Sequence, residues 1–98
     1  MSLEQELTDG TKARIMYESE PFQNALKAVK AGILQKWEES PISDRDGQHE
    51  LRLMLKVLND VELNIISVIN NGKFAEKTLL LQKQEEQTKK KGLLSRFK

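Results

Sequence analysis

Leu51-Arg52-Leu53-Met54-Leu55-Lys56-Val57-Leu58-Asn59-Asp60-Val61-Glu62-Leu63-Asn64-Ile65-Ile66-Ser67-Val68-Ile69-Asn70 is the stretch on which the fold turns. Within it Leu51, Met54, Leu58, Val61, Ile65 and Val68 follow one another at alternating steps of three and four. That is a heptad seam, and a helix carrying one needs another helix to bury it. Leu55, Ile66 and Ile69 form a second row along one edge of the seam. At about 100° per residue the apolar arc, with Val57 included, spans roughly 180°. One neighbouring helix covers much less than that. The stretch therefore predicts one partner within the chain and another outside it, and makes the seam the oligomer and core surface.

Working back towards the N-terminus, Ser19-Glu20-Pro21 reads as a helix start. Serine is a favoured N-cap, an acid suits the positive end of the helix dipole, and proline is tolerated in a first turn. This helix should run to about Glu39 and present Phe22, Ala25, Leu26, Val29, Ile33 and Trp37 to the seam. Ala25, Ala28 and Gly32 lie along one edge. Either close helix packing explains that glycine or it is simply tolerated, at a cost of about 1 kcal/mol. Ser40-Pro41 ends the helix, because the residue before proline is pushed out of the helical region. Ser43-Asp44-Arg45-Asp46 resembles a capping box with an acidic first turn, so the second helix should run from Asp44 to about Asn70. Asn70-Asn71-Gly72 is a helix-ending signature, with glycine free to turn left-handed. A connection of about four residues implies an antiparallel hairpin, pairing Trp37 with the region of Leu51, Leu26 with Leu58, and Phe22 with Val61 or Ile65.

The flanks are weaker. Residues 1–10 read as a flexible, polar N-terminus, with Gly10 breaking any helix and Thr11 capping a short one through Glu18. Residues 11–72 form the hairpin core. Residues 73–91 are rich in Lys, Gln and Glu and read as a marginal third helix, ordered where Phe74 and Leu79–Leu81 dock. Gly92 interrupts it, and residues 92–98 form a basic, apolar tail. The fold class is thus all-α: an antiparallel two-helix hairpin with a weaker third C-terminal helix, assembled into an oligomeric bundle. Oligomerisation is expected because domains this small bury little surface alone.

Composition excludes several chemistries. The 98 residues carry a net charge of +1, so the chain as a whole is not a basic nucleic-acid binder. There is no cysteine, hence no disulfide and no thiolate chemistry. No apolar run approaches the roughly 20 residues that span a bilayer, and the polar start does not read as a secretory signal. The expected location is cytoplasmic.

No catalytic set is legible. His49 is the only histidine, and it falls opposite the seam, on the wet face. Asp44, Asp46 and Glu50 surround Gly47 in a way that resembles part of a calcium loop. Ile42 and Leu53, however, occupy its first and twelfth ligand positions, and first-turn dipole partners explain the acids better. Trp37 continues the core seam, although an indole can also stack on a base or ligand. No catalytic, metal or cofactor site is accordingly expected, and no small-molecule substrate.

The C-terminal segment is the most partner-like. Lys89, Lys90, Lys91, Leu93, Leu94, Arg96 and Phe97 mix charge with large apolar groups, and no acid follows Glu86. The segment resembles in pattern the membrane-targeting tails of bacterial division-site ATPases. It can equally be read as a nucleic-acid arm, as a peptide that fills a pocket on a protein partner, or as a solubilising tail.

Glu20-Pro21-Phe22 leading to Gln35-Lys36-Trp37, and Asp44-Arg45-Asp46-Gly47 leading to Ile69-Asn70-Asn71-Gly72, resemble small helical-hairpin proteins of tailed bacteriophages and prophages. The resemblance covers about residues 13 to 76. It implies a virion-assembly or host-interaction role and carries over no functional residue. The function expected is that of a non-enzymatic structural or interaction protein that self-associates through its helical core and engages a partner through its tail. The alternative is a nucleic-acid or membrane-surface binder acting through the tail.

Overall fold

In the computed structural model, residues 2–96 are described, with side chains through Gly92. They form three helices and no strand: α1 (Leu3–Glu18), α2 (Glu20–Glu39) and α3 (Arg45–Arg96). The spine is α3, whose 52 residues correspond to about 78 Å at 1.5 Å per residue. The described molecule measures 84 × 24 × 17 Å, so this one helix sets its length.

The breaks fall where local chemistry puts them. Ser19 is extended and serves both as the end of α1 and as the N-cap of α2. Its backbone N–H and its hydroxyl both donate to the Met16 carbonyl, at 3.1 and 2.6 Å. Helix cannot continue smoothly, because the Pro21 ring would collide with the carbonyl of Tyr17. That carbonyl instead accepts the side-chain amide of Gln23 at 2.6 Å. Ser40 repeats the device before Pro41, bonding the Trp37 carbonyl through its N–H and hydroxyl. α3 is capped by Asp44 rather than Ser43, whose capping box does not form: the Asp44 carboxylate accepts the Gly47 N–H at 3.1 Å.

Three expected breaks are absent. Gly10 lies inside α1, which begins at Leu3, capped by the Ser2 hydroxyl on the Gln5 N–H. Thr11 is a mid-helix residue whose hydroxyl donates to the Leu7 carbonyl at 2.9 Å. Asn70-Asn71-Gly72 and Gly92 lie inside α3, and no described residue has positive φ. The segment read as a separate third helix is therefore the continuation of the second. The division at residues 10, 72 and 91 does not correspond to helix boundaries.

One contact explains two of the three. Gly10 and Gly72 face each other so closely that a Cβ built on Gly10 would lie 2.6 Å from the Gly72 Cα, and one on Gly72 would lie 2.7 Å from the Gly10 Cα. Two helix backbones approach this closely only where neither residue carries a side chain. α1 thus lies along the second half of α3, and burial of Ile69, Gly72 and Ala75 marks the contact. α2 lies along the first half, with Leu26 and Ile33 as its buried residues. A rod with a single layer of neighbours encloses little, so most other apolar side chains remain half-buried or exposed.

Candidate interaction surfaces

Where α1, α2 and α3 meet, a polar knot ties them together. Glu62 of α3 accepts the Tyr17 hydroxyl of α1 at 2.9 Å and the Lys30 ammonium of α2 at 2.8 Å. Tyr17 also stacks obliquely on Phe22, with ring centroids 5.9 Å apart. The hydrogen bond from Lys30, followed by that from Tyr17, holds the Glu62 carboxyl below its ordinary pKa, against some opposing desolvation. The Tyr17 phenol is pushed up, first by its bond to Glu62 and then by burial. Sequence patterning could not flag this site, since Glu62 interrupts the apolar rows on either side of it.

A carboxyl whose pKa is lowered on folding stabilises the fold above its unfolded pKa, about 4.3, and that contribution disappears as pH falls through the lowered value. Glu62→Gln should therefore be less stable than the parent near neutrality, by about 1 kcal/mol, as for an ordinary net hydrogen bond. The gap should close as the pH drops below about 4. Urea unfolding followed by circular dichroism at several pH values measures it. A gap independent of pH would show that the ionised carboxylate contributes nothing.

The expected seam is only partly used within the chain. Leu51, Leu58, Ile65 and Val68 are half-buried, whereas Met54 and Val61 are 49% and 52% exposed. The row that α1 and α2 cover is displaced towards Leu55, Leu58, Glu62, Ile66 and Ile69. On the uncovered side Val29, Ile33, Leu53, Met54, Val57, Leu58 and Val61 line an open groove of about 390 Å³. Gly32 belongs to the same flank of α2, and a Cβ added there would meet nothing within 4 Å. The small edge Ala25, Ala28 and Gly32 is thus not a close approach inside this chain.

Two further expectations are corrected. Trp37 is 52% exposed rather than enclosed, and Phe74 is 68% exposed rather than docked. Both sit where the rod offers no second layer. Trp37 and Leu34 of α2 share a cleft of about 520 Å³ with Arg45, Gln48, His49, Leu51, Arg52 and Leu55 of α3. His49 is exposed. Lys89, Lys90 and Lys91 are exposed on the last part of α3. Leu93, Leu94 and Arg96 continue the helix backbone. The expectations for their side chains, and for Phe97, lie outside what is described.

Among the described residues no group of three or more His, Cys, Asp or Glu is arranged to hold a metal ion, and no helix is long and apolar enough to cross a membrane. Comparison of the chain with protein-family models, with curated proteins and with solved structures finds no match.

Proposed function

We propose that this chain is a non-enzymatic, phage-type structural or interaction module. It self-associates through the open groove of an antiparallel α2–α3 hairpin and engages a partner through its C-terminal tail. The groove carries the reading. Met54, Val57 and Val61 of α3 and Val29 of α2 expose contiguous apolar surface in a molecule that buries few side chains. Contiguous apolar surface of this kind marks an interaction site. The open space beside Gly32 admits a second helix closely. Resemblance to helical-hairpin phage proteins supports a role in virion assembly or host interaction.

Sedimentation of the parent chain at micromolar concentration is expected to give an oligomer. Val57→Glu combined with Val61→Glu should give a monomer of unchanged helicity, since both positions are already half-exposed in the single chain. Deleting residues 92–98 should leave the oligomer intact and remove partner binding. A folded monomer for the parent chain overturns the reading. A second reading, a tail that binds an anionic surface, draws on Lys89, Lys90 and Lys91. At about 100° per residue the three lysines fan over some 200° of the helix circumference. Steep loss of binding with added salt would favour it.

A further inference from the structure

The cleft at the α2–α3 turn is independent of the apolar groove and of the tail. It is lined by the apolar Leu34 and Leu51 and the half-exposed indole of Trp37, together with Arg45, His49 and Arg52. None of its lining residues is acidic. Among the described residues, neither guanidinium has a carboxylate within 4.0 Å. A half-exposed aromatic ring lining the same cleft as two arginines suits unpaired nucleotides. Bases stack on aromatic rings without regard to sequence, and guanidinium forks grip phosphate oxygens.

We propose that this cleft binds single-stranded nucleic acid, with a base stacked on Trp37 and the flanking phosphates held by Arg45 and Arg52. The volume of about 520 Å³ is of the size that takes one small-molecule-sized group. The two arginines stand seven residues apart on one helix, about 10 Å along its axis. Two long side chains rooted that far apart can each reach a different phosphate of a strand, whereas a free mononucleoside monophosphate offers one. Lys56, one turn beyond Arg52, extends the cationic row along the exposed side of α3.

Trp37 is the only tryptophan, so its fluorescence reports this cleft alone. Titrating the full chain with a short oligothymidylate should quench the emission saturably. Arg45→Ala combined with Arg52→Ala should weaken the interaction about tenfold or more, the factor that corresponds to roughly 1.4 kcal/mol. Both side chains are exposed, so helicity should be unchanged. Arg45→Lys combined with Arg52→Lys should give an intermediate loss, because lysine keeps the charge but lacks the fork. Lys89→Ala, Lys90→Ala and Lys91→Ala together should leave the quenching in place.

Four results would overturn the assignment. One is no quenching by the oligonucleotide. Another is quenching that depends on the tail lysines and not on the arginines. The third is saturation by thymidine monophosphate at the same concentration, which would make the ligand a free nucleotide. The last is equal quenching by polyglutamate, which would make it an acidic peptide.

Discussion

Gly72→Leu is expected to detach α1 from α3 and to cost about 3 kcal/mol, the upper end of the range for an overpacked interior. The atoms in the way are the Gly10 Cα, 2.7 Å from the new Cβ, and the Glu6 carbonyl oxygen, at 3.1 Å. Both belong to backbone, so no rotamer change relieves the clash and the helices must move apart. Once separated, the 16 residues of α1 are close to the length below which an isolated helix is marginal in water. Circular dichroism should therefore show lost helicity as well as a lower melting temperature. Gly10→Leu should behave the same way, since the contact is mutual. Gly72→Ala sets two effects against each other. Alanine gains about 1 kcal/mol of helix propensity, but the smallest added side chain already meets backbone, so net destabilisation is expected. Gly92→Ala is the control, because a Cβ there meets nothing within 4 Å and only the propensity gain remains. Full helicity in Gly72→Leu would show that the two helices do not cross at this point.

Ile33→Asp should unfold the α2–α3 half of the molecule. Ile33 is 5% exposed, and an ionised carboxylate without a partner at such a position costs several kcal/mol. Val61→Asp, on the other side of the groove that both residues line, should hardly affect folding, because Val61 is 52% exposed. Its effect should fall on assembly instead. Denaturant unfolding of the two variants, read beside their sedimentation, separates the side chains that hold one chain together from those offered to a second. Equal destabilisation by both would mean that the groove is part of the folding core.

The apolar stretch from Leu51 to Asn70 contains both the covered and the exposed apolar rows, and the sequence could not divide them. Its arc is wide enough for two partners, and periodicity gives the width of an arc without saying which edge a given helix covers. A strict heptad row also drifts by about 20° per heptad around a straight helix. Met54 and Val61 fall on the edge that stays open, while Leu55, Ile66 and Ile69 fall on the covered one. Trp37 illustrates the same limit. Its register with Leu26 and Ile33 is correct, yet it lies beside the turn, where no third element encloses it.

The chain by itself determined the all-α class, the interruptions at Ser19-Glu20-Pro21 and Ser40-Pro41, and the buried positions Leu26 and Ile33. Each follows from local physics: proline sterics, the serine beside each break, and the spacing of apolar residues on one helix. Only the tertiary structure decided that Gly10 and Gly72 are not breaks and that residues 73–91 prolong α3. It also placed Glu62 at the junction of three helices. A glycine weakens a helix through its own backbone freedom, which is local and visible in sequence. The compensating close approach depends on the residue across the interface, here 62 positions away in the chain, and no local pattern encodes that.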